Sequence, residues 1–257
     1  MTRRAQGQST EAEHQAYFCD QLQSNIEFWR RFGRHPNFQG KVVLDLGCGH
    51  GAMSIDAARS GATVLGVDLD AARIDFAKRN VVENYPELSN RVEFRVVDLV
   101  ASHEQGLSGH FDIVLSKDTF EHVDDVQAML SAIFRLLKPD GELWAGFSPL
   151  YWSPKGDHGR TGLRLPWAHA VLPRQLVLMA ASRFNKRPVE RLYDVGLNGM
   201  TSPEFFDYAD KAGFRVESVL FNRGDKRFMG VFGKLRQIAL LERHFTVGIY
   251  TVMRVGA

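Results

Sequence analysis

Short apolar runs alternate with amphipathic segments along residues 40–148. Five of these runs have the length and β-branched content of buried strands, and they cover residues 41–46, 63–67, 92–97, 112–116 and 142–147. Apolar residues at helical spacing lie between them, near residues 52–60, 71–84 and 125–137. This strand–helix–strand repetition predicts an α/β fold with a doubly wound parallel sheet and helices on both of its faces.

Two segments outside this core have patterns of their own. Residues 10–34 are predicted to form one helix with an apolar surface, and residues 1–38 are interpreted as an N-terminal helical cap. From residue 149 to residue 199 the alternation stops, and prolines, glycines and basic residues are frequent. Loops over strand ends carry specificity in such folds, so this segment is predicted to be a substrate-lid insertion.

Regular structure resumes after the insertion. The run Ser202-Pro203-Glu204-Phe205 indicates the start of a helix, because proline is favoured just inside the first turn. Strands are predicted at residues 214–221 and 246–254, with a loop and one short helix between them. The whole chain, residues 1–257, is predicted to be a single domain.

Composition places the chain among ordinary soluble proteins. Hydrophobic residues make up 44% and charged residues 24%. The formal net charge of +2 is too small to indicate nucleic-acid binding. Cys19 and Cys48 do not suggest a disulfide framework. The polar N-terminus lacks the apolar core of a signal peptide, and no apolar run is long enough to cross a bilayer, so a cytoplasmic protein is expected.

The most informative stretch is the run Val42-Val43-Leu44-Asp45-Leu46-Gly47-Cys48-Gly49-His50-Gly51. It predicts a buried strand, a tight glycine-rich turn and the start of a helix, where a ligand can approach the backbone closely. Asp45 indicates the ligand, because a carboxylate would repel the pyrophosphate that dinucleotide-binding loops hold. S-adenosylmethionine has no phosphate and carries two cationic groups, which a carboxylate attracts. A nicotinamide dehydrogenase is the alternative, but it would need G-x-G-x-x-G spacing.

Four motifs in order resemble those of the class I S-adenosylmethionine-dependent methyltransferases. They are residues 43–51, residues 64–70 with their acidic end, residues 111–116 followed by Phe120-Glu121-His122-Val123, and the run Leu136-Leu137-Lys138-Pro139-Asp140-Gly141-Glu142-Leu143. The resemblance implies a Rossmann-like, mostly parallel sheet of seven strands with an antiparallel C-terminal strand pair. It also implies S-adenosyl-L-methionine as the cofactor.

The resemblance further implies which residues bind the cofactor, and they are Asp45, Gly47, Cys48, Gly49, Gly51, Asp68, Leu69, Asp98, Leu99 and Ser116. Asp45 and the loop would hold the methionine end. Asp68 would accept hydrogen bonds from both ribose hydroxyls, since a carboxylate is a natural bidentate acceptor. Asp98 would lie beside the adenine amine, the two leucines would enclose the adenine ring, and Ser116 would lie near the sulfonium.

Each of these roles has an ordinary structural alternative. Asp68 and Asp98 could cap helices or face the solvent at strand ends, where aspartate is common. Both leucines could belong to the core. Asp70 is expected to cap the following helix rather than to contact a ligand, and His50 is expected to be a tolerated loop residue.

Methyl transfer to an oxygen atom also needs a base that takes the hydroxyl proton. The candidates are Asp118, Glu121 and His122 after the fourth strand, and His158 and His169 in the insertion. Asp118 and His122 would share a face if the segment were helical, and this pairing would raise the basicity of the imidazole. We therefore expect His122, Asp118 and His158 to be catalytic, although His122 could serve only to fix a helix N-terminus. No metal-ligand cluster stands out in the sequence, and none is expected.

The insertion has a strong excess of basic residues. Only Asp157 and Glu190 oppose a basic set that consists of Lys155, Arg160, Arg164, Arg174, Arg183, Lys186, Arg187 and Arg191. This bias could receive an anionic substrate or an acidic surface, and residues 171–181 are apolar enough for an amphipathic helix that touches lipid. A lid with a solvated basic face is the equally favoured alternative.

The predicted function is O-methylation of a small molecule, or of a glycan or lipid-linked hydroxyl, with S-adenosylmethionine as donor. Methylation of RNA or protein and non-catalytic binding of the cofactor are the alternatives. DNA is not expected, because Ser116-Lys117-Asp118-Thr119 stands where amino-methylating DNA enzymes carry an Asn/Asp-Pro-Pro-aromatic run. The sequence gives no indication of the oligomeric state.

Overall fold

The computed structural model of the protein describes residues 10–101, 107–224 and 228–256. Its helices are α1 (Glu11–Phe32), α2 (Ala52–Arg59), α3 (Ala71–Asn84), α4 (Val126–Leu136), α5 (Ala168–Val171), α6 (Arg174–Asn185), α7 (Ser202–Lys211), α8 (Phe228–Leu235) and α9 (Glu242–Phe245). Its strands are β1 (Val42–Leu46), β2 (Thr63–Asp68), β3 (Val92–Val96), β4 (Phe111–Lys117), β5 (Leu137–Phe147), β6 (Phe214–Phe221) and β7 (Ile249–Val255). Three short 3-10 helices cover Pro86–Leu88, Phe120–His122 and Leu192–Val195.

The chain divides into two compact units. The first contains the residues up to Arg30 together with Arg34–Asp98, and the second contains Arg31–Gly33 and the residues from Leu99 onward. Each unit has its own set of strands and helices.

The first unit is built on three parallel strands in the order β3-β2-β1. Thr63 of β2 lies opposite Val42 of β1, and Val64 lies opposite Val92 of β3. The interior of β2 is buried along its length. Continuous burial of this kind is typical of a parallel strand that is covered on both faces, and it agrees with the apolar runs in the sequence.

The helices of the first unit follow the predicted pattern closely. The carboxylate of Asp70 accepts hydrogen bonds from two backbone N–H groups in the first turn of α3, which confirms that Asp70 caps this helix. α1 occupies most of the segment predicted to be the N-terminal helix. Phe18 of α1 packs against Phe76 of α3, with the ring centroids 6.1 Å apart.

The second unit contains four strands in the order β4-β5-β7-β6. β4 and β5 are parallel, with Val114 opposite Leu143. β7 is antiparallel to both of its neighbours, with Tyr250 opposite Gly146 of β5 and opposite Leu220 of β6. The antiparallel C-terminal strand pair is thus confirmed. With a seven-stranded sheet in which β7 runs antiparallel to its neighbours β5 and β6, the structure confirms the predicted fold class.

Two boundaries differ from the prediction. The segment Lys138-Pro139-Asp140-Gly141 predicts a turn, but it lies inside β5. Leu137 pairs with Phe111 and Glu142 pairs with Ile113, so the turn-forming residues bulge out of the ladder instead of ending it. In addition, the predicted loop before β7 contains two helices, α8 and α9, rather than one.

The insertion is more regular than its sequence suggests. α6 directs Val177 and Ala181 inward, and Ala181 belongs to a small apolar cluster with Tyr151, Val189, Val195 and Leu197. This cluster gives the insertion a core of its own. Its role as a lid stays a prediction. Within the described residues, no helix has both the length and the apolar character needed to cross a bilayer.

Candidate active site

The glycine-rich loop after β1 has the backbone conformation that its sequence predicts. Gly47, Gly49 and Gly51 have φ values of 71°, 53° and 83°, in the left-handed region. A Cβ at Gly51 would lie 2.5 Å from the ring of Phe94, whereas a Cβ at Gly49 would meet no atom within 4 Å. The loop therefore needs glycine at residue 51 for packing. At residue 49 only the backbone conformation requires glycine, and the space beside it is open.

The N–H groups of this loop already donate hydrogen bonds within the protein. Those of Gly47 and Cys48 both donate to the carbonyl of Val67, across 2.8 and 3.0 Å. That of Gly51 donates to the carbonyl of Cys48. A cationic ammonium group donates hydrogen bonds and accepts none, so it would bind to carbonyl oxygens of the loop rather than to these N–H groups. The methionine end of S-adenosylmethionine carries such an ammonium group, and the carbonyl oxygens of this loop suit it as acceptors.

Asp45 lies beneath the loop rather than on its surface. Its side chain is buried, and its carboxylate accepts a hydrogen bond from Ser54 Oγ of α2 across 2.6 Å. Asp45 therefore holds the start of α2 against the end of β1 and contributes a negative charge under the loop. Direct contact between Asp45 and a cofactor stays a prediction.

Asp68 connects the end of β2 to the glycine-rich loop. One carboxylate oxygen accepts the N–H of Gly49 across 2.9 Å, and the other accepts the N–H of Asp70 across 2.9 Å. Each oxygen retains a second lone pair, so this carboxylate can also accept two ribose hydroxyls. The next residue, Leu69, exposes 65% of its surface, which is unusual for a large apolar residue beside a buried strand. An apolar ring bound here would cover it.

The remaining predicted cofactor residues differ in exposure. Asp98 is exposed at the end of the first unit, and Leu99 is buried in the second. Ser116 of β4 is also buried rather than at the mouth of a pocket, and its Oγ has no hydrogen-bond partner among the described residues. Burying a hydroxyl without a hydrogen-bond partner costs free energy, and a hydrogen bond to a polar ligand atom would offset this cost. These cofactor contacts stay predictions.

His50 is packed against the side chains of α1 and α3, whereas the sequence indicates only a tolerated loop residue. Its Nε2 lies 2.7 Å from Nδ1 of His14 in α1. The rings of Tyr17 and Phe76 enclose it, with centroids 4.8 and 5.1 Å away. Burial, and after it the charge of His14, lowers the pKa of His50 to about 4, so this imidazole is neutral near pH 7.

The predicted bases of the second unit come together from two parts of the chain. One ligand atom from each of Glu121, His122 and His158 lies within 4.8 Å of the other two. The His122 and His158 ring centroids are 5.0 Å apart. We call these three residues the Glu–His cluster. The catalytic roles predicted for His122 and His158 stay predictions, and Glu121 is an addition to the predicted catalytic set.

The shared helical face proposed for Asp118 and His122 is wrong. Asp118 has a left-handed φ of 50°, and only the 3-10 turn at Phe120–His122 follows it. The Asp118 carboxylate accepts the N–H of Ser148 across 3.3 Å, while Nδ1 of His122 lies 2.7 Å from the carbonyl of Gly196. The chain turns sharply at Asp118, directly after β4. Aspartate tolerates this left-handed backbone conformation better than most residues.

Burial dominates the electrostatics of the cluster. Glu121 is buried, and neither of its carboxylate oxygens has a hydrogen-bond partner among the described residues. Burial, and after it the negative charge of Asp118, raises the pKa of Glu121 well above its usual value. Desolvation also raises the pKa of Asp118, although part of that residue is exposed. Burial lowers the pKa of His158, which keeps its imidazole neutral.

His169, the remaining candidate base, is structural. It is buried, and its Nε2 lies 2.6 Å from the carbonyl of Tyr151. Its Nδ1 is 3.9 Å from a carboxylate oxygen of Asp157. Both ring nitrogens therefore face groups of the insertion itself, and His169 stabilises that segment.

The core of the chain is similar in sequence to known methyltransferases. A family model described as "Methyltransferase domain" matches residues 37–148. The ubiquinone biosynthesis O-methyltransferase of Pseudomonas fluorescens (strain SBW25) is 36% identical over 119 residues, which are 46% of this chain and 48% of the relative. That of Salmonella paratyphi A is 38% identical over 139 residues, 54% of this chain and 50% of the relative. The chain spans about half the length of the curated relatives that it matches.

Solved structures share the fold over nearly the whole chain. An S-adenosylmethionine-dependent methyltransferase from Mesorhizobium loti is 21% identical, with a TM-score of 0.62, and the match covers 91% of this chain and 99% of that one. Geranyl diphosphate C-methyltransferase from Streptomyces coelicolor A3(2) is 16% identical, with a TM-score of 0.60, covering 98% and 86%. Identities this low show the fold alone. Together with the domain match over residues 37–148, they support the resemblance to class I methyltransferases.

Proposed function

We propose that this chain, whose residues 37–148 form a methyltransferase domain, transfers a methyl group from S-adenosylmethionine to a hydroxyl oxygen of a small molecule. The observation that carries the proposal is the link between Gly49 and Asp68, which joins a glycine-rich loop to a ribose-accepting carboxylate. The exposed Leu69 beside it supplies an apolar surface for adenine. The three features suit an adenosyl ligand with a cationic tail.

The sulfonium supplies an activated methyl group, so the protein mainly aligns the two reactants and removes one proton. A lone pair on the acceptor oxygen forms the bond to the methyl carbon. S-adenosylmethionine, which the glycine-rich loop and Asp68 would hold, would supply the methyl group, and its sulfur would keep the electron pair of the broken methyl–sulfur bond. The hydroxyl proton passes to a basic atom of the Glu–His cluster. That cluster has two imidazoles and a buried carboxyl group close together, which suits it to accept a proton.

The acceptor is proposed to be a small hydroxyl compound with an apolar or lipid-linked part. The curated relatives named above are O-methyltransferases of ubiquinone biosynthesis, and their similarity covers about half of their length. This supports an oxygen acceptor more than a nitrogen or carbon acceptor.

The insertion presents a surface that suits contact with a membrane. Leu176 and Met179 of α6 expose 44% and 64% of their surface, and Val171, just before this helix, exposes 71%. Exposed basic residues, Arg174 and Arg183, lie on the same helix. Apolar side chains flanked by basic ones are typical of helices that lie at an anionic lipid surface. We call these five residues the α6 surface and propose that it brings the site to lipid-held acceptors.

Labelling tests the proposed function. Purified protein would be incubated with S-adenosylmethionine that carries a radioactive methyl group and with an unlabelled cell extract. Lipid, small-molecule, carbohydrate, protein and RNA fractions would then be counted. Label in the small-molecule or lipid fraction, absent with Asp68→Ala, is the expected result. Label confined to RNA or protein would show that the acceptor is a macromolecule and would contradict the proposed small-molecule acceptor. No label in any fraction, with S-adenosylhomocysteine still bound, would favour a non-catalytic binding protein.

A further inference from the structure

Resting on the proposed function, we propose that Arg31 binds a carboxylate group of the methyl acceptor and that the acceptor is therefore a hydroxy acid. Arg31 lies in the last turn of α1 and is half-buried. Its Nη1 donates a hydrogen bond to the hydroxyl oxygen of Tyr250 across 2.7 Å. Its Nε is buried and has no hydrogen-bond partner among the described residues.

The other edge of this guanidinium has the geometry of a carboxylate-binding fork. In any arginine, Nε–H and one N–H of Nη2 point the same way, and a carboxylate can accept both hydrogen bonds at once. Tyr250 contacts only Nη1, so the described part of the chain leaves the fork of Arg31 without an acceptor. Arg31 also forms no ion pair with a carboxylate of the described residues. A buried N–H without an acceptor costs free energy, and a bound carboxylate would offset this cost.

Neighbouring residues hold Arg31 in this position. Phe32 packs edge-on against the ring of Tyr250 and also against Trp144 of β5, with ring centroids 5.5 and 5.3 Å away. Cζ of Arg31 lies 5.8 Å from the centre of the Tyr250 ring. The backbone carbonyl of Arg31 accepts a hydrogen bond from Nε of Arg223 across 3.3 Å. The guanidinium is therefore preorganised, which lowers the entropic cost of binding an anion.

The Arg31–Tyr250 pair lies beside the carboxyl ends of two parallel strands. Asp118 directly follows β4, and Ser148 directly follows β5. Oγ of Ser148 is 3.5 Å from the hydroxyl oxygen of Tyr250. Open α/β sheets bind their ligands in the crevice at the carboxyl ends of their strands. The fork of Arg31 is thus at the edge of the sheet where an acceptor is expected.

Ser148 and Pro149 connect this pair to the Glu–His cluster. Ser148 lies beside Tyr250, and the carbonyl of the next residue, Pro149, is 3.0 Å from Nε2 of His158. One small molecule can therefore place its hydroxyl at the cluster and its carboxylate at Arg31. Attachment at two points would fix which hydroxyl faces the base and would align it for transfer.

The charges around Arg31 favour an anion with a single charge. Desolvation raises the pKa of Asp118, and the positive charges of Lys117 and Arg31 act in the opposite direction, so both cations lie near this carboxyl group. A carboxylate carries one negative charge and two acceptor atoms, which one guanidinium satisfies. A phosphate group would bring a charge of up to two beside Asp118 and be repelled more strongly. A carboxylate is therefore the better match.

Carboxylate binding can be measured without any methyl transfer. The full chain, with S-adenosylhomocysteine present, would be titrated by NMR with sodium benzoate and with benzamide, which has a similar shape and no charge. Wild type is expected to bind benzoate saturably and benzamide at least about 10-fold more weakly. Arg31→Gln should weaken benzoate binding by about 10-fold or more, because the hydrogen bonds to the charged group are lost. Arg31→Lys, which keeps the charge without the fork, should weaken it less.

Arg215→Gln is the matched control, because it removes an exposed basic residue of β6 in the same unit. Thermal unfolding would check that each variant folds, and Arg31→Lys keeps the test decisive if Arg31→Gln does not. Absence of saturable benzoate binding in wild type, or equal binding in wild type and every folded Arg31 variant, would overturn the carboxylate site. Tighter binding of inorganic phosphate than of benzoate would contradict the assignment to a carboxylate.

The carboxylate site and the methyltransferase activity can fail separately. A labelled product that an anion exchanger does not retain would overturn the hydroxy-acid acceptor and leave methyl transfer intact. Benzoate binding through Arg31, with no label in any extract fraction, would overturn the proposed function and leave the carboxylate site intact. If both proposals are correct, the exchanger should retain the labelled product, and Arg31→Gln should raise the KM for the acceptor by about 10-fold or more.

Discussion

The backbone N–H of Gly49 donates a hydrogen bond to the carboxylate of Asp68 across 2.9 Å. The glycine-rich loop after β1 and the acidic end of β2 are thereby held as one piece. In the proposed function, the loop binds the cationic end of S-adenosylmethionine and Asp68 binds its ribose. The hydrogen bond fixes the spacing between these two contacts before the ligand arrives, which lowers the entropic cost of binding.

Removing the charge of Asp68 should weaken cofactor binding. Asp68→Asn leaves one acceptor oxygen where the carboxylate has two, so it cannot serve Gly49, Asp70 and two ribose hydroxyls equally. S-adenosylhomocysteine binding, measured by calorimetry, is expected to weaken by about 1.5–3 kcal/mol. Asp75→Asn, on the exposed side of α3, is the matched control. Equal affinity in Asp68→Asn and wild type would show that the ribose binds elsewhere.

Alanine at Gly49 should separate folding from binding. No atom lies within 4 Å of a Cβ built there, so Gly49→Ala is expected to fold with a strain of about 1–2 kcal/mol from its left-handed backbone. The added methyl group would occupy the space of the ligand and abolish S-adenosylhomocysteine binding. Gly51→Ala should instead lose stability, since its Cβ would lie 2.5 Å from Phe94. Normal binding by a folded Gly49→Ala protein would place the ligand away from the loop.

His50 should make stability depend on pH. Its pKa is lowered to about 4 in the folded protein, from a usual value of 6.5, so the unfolded chain binds more protons between these values. The free energy of unfolding is therefore expected to fall as the pH decreases from 6.5 toward 4. His50→Phe removes this titration and keeps an aromatic ring between Tyr17 and Phe76. Urea unfolding at several pH values measures the difference. An unchanged pH dependence in His50→Phe would mean that other groups control it.

Replacing Glu121 by glutamine should stabilise the protein. Its buried carboxylate has no hydrogen-bond partner among the described residues, so Glu121→Gln removes the desolvation cost of a charge. The free energy of unfolding is expected to rise by about 1–4 kcal/mol. Glu190→Gln, at an exposed position, should change it by less than about 0.5 kcal/mol. A less stable Glu121→Gln protein would indicate that the carboxylate has a stabilising partner.

The α6 surface should bind lipid vesicles. Leu176→Ser and Met179→Ser together are expected to reduce co-flotation with vesicles of anionic lipid, because they remove exposed apolar contacts without touching Val177 or Ala181. Ile26→Ser is the control, since Ile26 is exposed to 60% on α1. Binding should be weaker at high salt and on zwitterionic vesicles. Equal flotation of the double variant and Ile26→Ser would exclude this surface.

Much of the fold was predictable because its signals are local. The apolar runs of the parallel strands, the capping residue Asp70 and the glycines with positive φ each follow from residues close together in the sequence. The bulge at Lys138-Pro139-Asp140-Gly141 was not predictable, because those residues are compatible with a turn or a bulge. Only the pairing of β5 with β4 decides between the two.

The Glu–His cluster was predictable in part. His122 and His158 are plausible bases by residue type, but the sequence gives no distance between a strand end and an insertion. In the sequence, Glu121 is only one residue of a run that resembles a family motif. Its burial without a hydrogen-bond partner among the described residues is visible only in three dimensions. His50 is a comparable case, since its neighbours His14 and Tyr17 come from α1. Such long-range contacts have no short-range signal in one sequence.

The most direct test of the central claim uses S-adenosylmethionine with a ¹³C-labelled methyl group. The protein would be incubated with this donor and with the extract fraction that accepts label, and the product would be examined by NMR and mass spectrometry. The account predicts a ¹³C-methyl group on oxygen, one S-adenosylhomocysteine per methyl transferred, and less product with Asp68→Asn at the same donor concentration. A label on nitrogen or carbon would contradict O-methylation. No label in any product, from protein that binds S-adenosylhomocysteine, would contradict methyl transfer itself.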